Sequence, residues 1–250
     1  MTPTRGGTTH RRTLRWQQAR VLAVRDETPT ARTFRLALPA PRRHLAGQHY
    51  VVRLTAPDGY TASRSYSVAT PPDDTGEIEL TVERLEDGEV SEYLHDVVEP
   101  GDELEVRGPI GGFFAWDGGT PALLVGGGSG VVPLMSMLRQ SRRQSSRQSS
   151  TDGHTRLARL IVSARSPLDL YYADELRGPD VLVLYTREAP PEAGRAAGRL
   201  TVRDVTPFLR GGETVFVCGS PGFADAATAV LLEAGVPVDA IRGERFGPSA

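Results

Sequence analysis

Arg64-Ser65-Tyr66-Ser67 stands between two stretches that read as β-strands, and no other four residues of this 250-residue chain say as much about it. Side chains alternate along an extended segment, so Arg64 and Tyr66 share a face. The arginine can pair with a phosphate, the tyrosine ring can lie flat on an aromatic ring system, and the Ser67 hydroxyl can hydrogen-bond a ring nitrogen. Three parts of one ligand are served, and the set suits a flavin nucleotide.

Outward from this stretch, residues 18–117 carry short strand candidates with turn punctuation, at 20–24, 33–38, 49–54, 65–69, 77–83 and 103–106. Ile78, Leu80 and Val82 alternate with Glu79, Thr81 and Glu83, the period of a strand half-buried on one face. Six short strands separated by Pro-Asp-Gly, Pro-Pro-Asp-Asp and Glu-Pro-Gly-Asp turns indicate a small antiparallel β-barrel. After Asp117-Gly118-Gly119 the texture changes. Apolar runs at 122–125, 160–162, 181–185 and 215–218 alternate with helix-like segments at 131–138, 173–176 and 223–234. That alternation means a parallel sheet covered on both faces, so residues 118–250 read as an α/β nucleotide-binding domain. Residues 1–17 read as a disordered leader. Residues 139–156, with Arg-Gln-Ser-Ser at 143–146 and again at 147–150, read as a flexible low-complexity loop.

The totals exclude several classes. A net charge of -2 argues against nucleic acid as the main partner. All 29 cationic residues are arginine, which reflects composition rather than a binding role. Cys218 is the single cysteine, so neither an intramolecular disulfide nor a four-cysteine iron–sulfur cluster is available, and no metal site is expected. No apolar run approaches membrane-spanning length, and the polar residues 13–18 after Arg11-Arg12 do not make an export signal. A cytoplasmic protein with no membrane partner is the expectation.

Further motifs follow. Gly88-Glu89-Val90-Ser91 runs into a helix-like stretch whose free N–H groups suit a pyrophosphate, although Ser91 as an ordinary N-cap explains it equally. Gly126-Gly127-Gly128-Ser129-Gly130 follows a strand and opens a helix, where backbone can approach a phosphate. Its spacing is not that of the G-x-G-x-x-G fingerprint, since position 131 is valine. Cys218-Gly219 ends another strand, where a lone cysteine is ordinarily a small buried hydrophobe. Ser163 and Arg165 end the second strand of the α/β half, where the adenosine ribose of a dinucleotide should lie, and an arginine there suits a 2′-phosphate.

Taken in order, these motifs resemble the ferredoxin–NADP reductase family over roughly residues 18–247. The resemblance implies a Greek-key FAD-binding barrel followed by an NAD(P)-binding domain. It implies flavin contacts at Arg64, Tyr66, Ser67, Val82, Gly88, Val90 and Ser91, and coenzyme contacts at Gly126, Gly127, Gly128, Ser129, Gly130, Cys218 and Gly219. Arg187 and Arg199 resemble the phosphate contacts of NADPH-using relatives, so NADPH is expected over NADH. In Glu244-Arg245-Phe246 the ring of Phe246 would cover the flavin where nicotinamide enters, with Glu244, Ser67 and Cys218 lining the reacting centre. Val132 departs from the small or hydroxyl residue usual at its position. The implied reaction passes hydride from NAD(P)H to FAD and then electrons to a separate acceptor, such as a ferredoxin, a flavodoxin or an oxygenase component. A stand-alone reductase with no fused iron–sulfur domain is expected, because only four residues follow Phe246 and the leader is short. A flavin reductase with dissociable flavin and a non-catalytic flavin-binding subunit are the alternatives.

Overall fold

The computed structural model describes residues 14–147 and 156–247. Six strands make the first sheet: β1 (Gln17–Thr28), β2 (Ala31–Ala37), β3 (His49–Thr55), β4 (Thr61–Ser67), β5 (Glu77–Glu83) and β6 (Glu103–Ile110). They pair antiparallel in the order β4-β3-β6-β1-β2-β5. The sheet curls until its edges meet: Val68 bridges Leu80, and the Ala69 N–H donates to the Glu79 carbonyl at 2.9 Å. Inside lie Phe34, Leu36, Tyr50, Val52, Leu80 and Val106, joined by Val90 and Leu94 from helix α1 (Glu89–Asp96). Burying each such side chain is worth about 1.5–3 kcal/mol. Residues 1–13 of the expected leader lie outside the described residues. Gln17 already belongs to β1, and Trp16 is held between the guanidiniums of Arg53 and Arg107, 4.2 and 4.6 Å from its ring centre.

The second sheet holds β7 (Ala122–Gly127), β8 (Ala158–Ala164), β9 (Val181–Tyr185), β10 (Thr214–Gly219) and β11 (Ile241–Arg245). All pair parallel, in the order β11-β10-β7-β8-β9, with crossovers that include α2 (Val131–Arg147), α3 (Val202–Val205) and α4 (Pro221–Glu233). Every residue of β8 is buried, as expected of an inner strand with both faces covered. Among the described residues no helix is long and apolar enough to cross a membrane.

Two expectations about local structure need correction. Residues 139–147 are the second half of α2, not loop; only 148–155 lie outside the described residues. The polar run is held helical by tertiary partners, chiefly Arg139 and Arg142, and Arg142 forks onto Asp180 at 2.9 and 3.2 Å. Residues 173–175 form turns and 176 is irregular, not a helix; Tyr172 before them sits at φ 56°, outside the helical region, and its N–H donates to the Glu27 carboxylate at 3.1 Å.

Val131–Leu138 are buried on all sides since α2 packs on the parallel sheet and also on the barrel. Across that seam Arg139 donates to both oxygens of Glu175, to Glu79 at 2.8 Å and to the Ala69 carbonyl at 3.0 Å. Its guanidinium also stands 5.1 Å from the centre of the Tyr172 ring. The Tyr172 hydroxyl meets Thr81, which meets Thr33, which donates to Glu27. Burial raises the Glu175 carboxyl, but the hydrogen bonds and charge of Arg139 outweigh it and hold the group below its usual range. Arg139→Ala strands two carboxylates at the seam and is expected to cost about 3 kcal/mol in urea unfolding at pH 7. An unchanged midpoint would remove this network from the forces joining the two lobes.

Candidate functional site

The strand β4 sets Arg64 and Tyr66 on one face, opposite Val52 and Tyr50 of β3. Tyr50 is fully buried, and Tyr66 lies half-buried against the same core, its phenol raised by that burial. Arg64 is exposed and donates to the Ser63 carbonyl at 2.8 Å. It pairs with no carboxylate among the described residues. Ser67 is buried as a residue, at the end of β4.

The helix α1 packs beside β4 and β5. Its N-cap is Gly88 rather than Ser91; Ser91 lies one turn in, donating to the Gly88 carbonyl at 3.0 Å and accepting from the Leu85 N–H at 3.2 Å. A side chain at 88 would put Cβ 2.3 Å from the Ser91 hydroxyl, which explains the glycine. Glu89 and Glu92 stand in the first turn, and the Tyr60 hydroxyl donates to Glu89 at 3.1 Å. These acids weaken the helix end as an anion site. Val90 and Val82 point into the barrel core, and the Val82 carbonyl is already bonded to His95. Any ligand contact by these two would therefore be through backbone, with the Val82 carbonyl shared with His95.

At the carboxyl edge of the parallel sheet the strand order reverses between β7 and β10, the place where such sheets leave a crevice. The turn Gly128–Gly130 follows β7 there, with Gly128 at φ 55°. It packs against the end of β10 so closely that a Cβ on Gly130 would lie 2.2 Å from the Cys218 carbonyl oxygen. Gly127 and Gly219 both press on the Phe223 ring. The same turn also abuts β5, so the glycine turn borders the barrel.

Cys218 is fully buried and stands beside Glu244 in the β10–β11 ladder. Burial first, then the Glu244 charge, pushes its thiol up, so it is held as a neutral thiol. Burial also pushes Glu244 up to about 7, and its Oε2 is buried with no hydrogen-bond partner among the described residues. The Phe246 N–H donates to the Gly219 carbonyl at 2.8 Å, and its ring packs on the cluster at the seam. Gly126–Gly130, Cys218, Gly219, Glu244 and Phe246 thus converge, whereas Tyr66 belongs to the separate barrel core.

Ser163 stands opposite Gly127, continuing this edge along β8. The Arg187 N–H bonds the Arg165 carbonyl at 2.9 Å, and the Gly198 N–H bonds that of Tyr185 at 2.8 Å, so Arg165, Arg187 and Arg199 gather at the β8 and β9 ends. All three are exposed, and Arg165 reaches only 3.9 Å from Asp169. Sequence reasoning passed over Arg139 and Tyr172 at the seam, and over Asp204. For Asp204 the Thr201-x-x-Asp204 helix-start pattern was the available signal.

Glu244 links the site to pH. Its folded value lies above the ordinary carboxylate range of the unfolded chain, so the folded form holds the extra proton between them. Stability therefore falls as pH rises from the unfolded value to about 7 and is then level. Glu244→Gln is expected to melt higher than the parent at pH 8 and to lose that advantage at pH 4; equal differences at both would exclude a buried acid.

Residues 18–114 match the oxidoreductase FAD-binding domain family, and residues 124–229 the oxidoreductase NAD-binding domain family. The chain is 34% identical to ferredoxin–NADP reductase B of Sorangium cellulosum over 247 residues, covering 92% of this chain and 97% of that protein. It is 31% identical over 245 residues to the reductase component of propane 2-monooxygenase of Rhodococcus jostii, of whose length it spans 63%. Among solved structures it is similar to an Amycolatopsis cytochrome P450 reductase, with a TM-score of 0.75 and 28% identity, over 95% of this chain and 71% of that one.

Proposed function

The chain belongs to the ferredoxin–NADP reductase family of paired FAD-binding and NAD-binding domains, and from that premise we propose that it draws electrons from NAD(P)H and delivers them to a separate redox protein. The observation that carries the reading is the convergence of the glycine turn, Cys218, Glu244 and Phe246 at the strand-order reversal, beside the barrel. Both sequence relatives are by name reductases, one of ferredoxin and one serving a monooxygenase, which supports a ferredoxin or an oxygenase component as acceptor.

The barrel residues fit FAD: an exposed arginine with no carboxylate partner among the described residues, a half-buried phenol and a buried serine sit within four residues. FAD, when bound, supplies a two-electron acceptor that can release its electrons singly. Arg64 would hold the pyrophosphate, assisted by the amides after Gly88. Tyr66 would pack on the ring system, and Ser67 would donate a hydrogen bond to it. Phe246 would shield that ring from water until nicotinamide displaces it. Glu244, poised near neutrality, would hold or release a proton as charge shifts beside it, while Cys218, neutral and buried, shapes the floor of the nicotinamide site.

Arg165, Arg187 and Arg199, gathered at the β8 and β9 ends and outnumbering the nearby Asp169 and Glu188, favour NADPH. The acids in the first turn of α1 favour one further reading, a flavin that leaves between turnovers. Purified protein reconstituted with FAD should retain its yellow colour through gel filtration and bleach on anaerobic addition of NADPH. Colour lost on the column points to the dissociable flavin, and colour retained without bleaching to a non-catalytic subunit. Arg165→Ala should raise KM for NADPH by about tenfold and leave KM for NADH nearly unchanged; equal effects would defeat the coenzyme assignment.

A further inference from the structure

The segment from Thr186 to Leu200, between β9 and α3, contains neither helix nor strand, yet it carries two of the three arginines assigned to the coenzyme. Arg195 gives it its shape. Nη1 donates to the two oxygens of Asp204 at 2.9 and 2.7 Å, and Nη2 donates to the carbonyls of Gly198 at 2.7 Å and Arg199 at 3.0 Å. Asp204 is itself immobilised, since its Oδ2 accepts the Thr201 N–H at 2.8 Å and the Thr201 hydroxyl at 2.7 Å to cap α3. One planar guanidinium thereby ties the main chain at Arg199 to a helix start. A single charge contact would be screened at this exposure, but four hydrogen bonds from one fork fix direction as well as distance.

The ends of the segment are fastened separately. Arg187 and Glu188 donate their N–H groups to the Arg165 carbonyl at 2.9 and 3.1 Å, and Gly198 donates to Tyr185 at 2.8 Å. Between these fastenings lies an open, shallow depression of about 740 Å³ lined by Arg187, Glu188, Gly194 and Arg195 among others. Without Arg195 the carbonyls of Gly198 and Arg199 lose these hydrogen bonds, and Asp204 loses its tie to the segment.

Resting on the coenzyme assignment above, we propose that Arg195 is a positioning residue: through Asp204 it holds this segment so that Arg187 and Arg199 face the phosphate-bearing ribose of NADPH, without touching the coenzyme itself. In the FAD-loaded protein, Arg195→Ala raises KM for NADPH about tenfold, changes kcat by less than about twofold, and shifts KM for NADH far less. Asp204→Asn, which preserves an oxygen for the Thr201 cap, gives the same split if Arg195→Ala fails to fold. In an Arg187→Ala/Arg199→Ala background, removing Arg195 adds nothing further to KM for NADPH; an additional loss would mean that Arg195 binds the phosphate directly and would overturn the proposal. Amide exchange supplies a readout independent of turnover. The N–H groups of Gly198 and Thr201, beside the carbonyls and the carboxylate that Arg195 holds, exchange faster in Arg195→Ala, and an unchanged pattern overturns the clamp. If Arg187→Ala/Arg199→Ala leaves KM for NADPH untouched while exchange does respond to Arg195→Ala, the coenzyme assignment fails and the proposal with it, though the clamp stands.

Discussion

The guanidinium of Arg139, on two carboxylates, a carbonyl and a tyrosine ring, is the contact on which the arrangement of this molecule rests. Each lobe has its own apolar core, and apolar contact alone is tolerant of sliding. A forked charge is not. A buried ion cluster is a weak source of net stability, because desolvation offsets much of the attraction, but separating its members leaves a buried charge uncompensated. Here the Arg139 bonds tie Glu79, near the start of β5, and Ala69, two residues past β4, to α2, and α2 begins at the glycine turn. The same few bonds therefore set the distance between the flavin-side residues and the coenzyme-side residues, where small displacements matter most to rate.

The crevice itself is built by omission of side chains. Gly130 lets the β7 turn rest on the β10 backbone, and Gly127 and Gly219 leave room for the Phe223 ring. Into this tight setting the chain inserts a carboxyl with an unpaired, buried oxygen beside a buried thiol. Local stability would favour an apolar residue at 244. Such departures from good packing concentrate at functional sites.

Much of this was legible in the residues. The alternation at 77–83 and the apolar run at 181–185 coincide with β5 and β9, although β9 is the edge of its sheet and buries only Leu184 fully. Thr81 shows the limit of that logic: it sits on the nominally polar face yet is buried, because the second lobe covers it with Tyr172. Residues 139–147 looked like solvated low complexity, and no local pattern reveals that Arg139 and Arg142 have carboxylates waiting on distant segments. The last strand, β11, was likewise unreadable, since Ile241–Arg245 is polar and gains its place only by pairing with β10. The glycine turn, Cys218 and Glu244 were found as separate motifs; their meeting depends on strand order, which sequence spacing does not encode.

The chain has two tryptophans, and the fold gives them unlike surroundings. Trp116 is sealed in the junction, its main-chain N–H on the Ala46 carbonyl and its indole N–H on that of Thr120. Trp16 lies on the outside of the barrel, clasped by cations that perturb indole emission. Intrinsic fluorescence thus carries two native labels: a red shift from the buried indole marks parting of the lobes, while a change confined to the other marks fraying of the first strand.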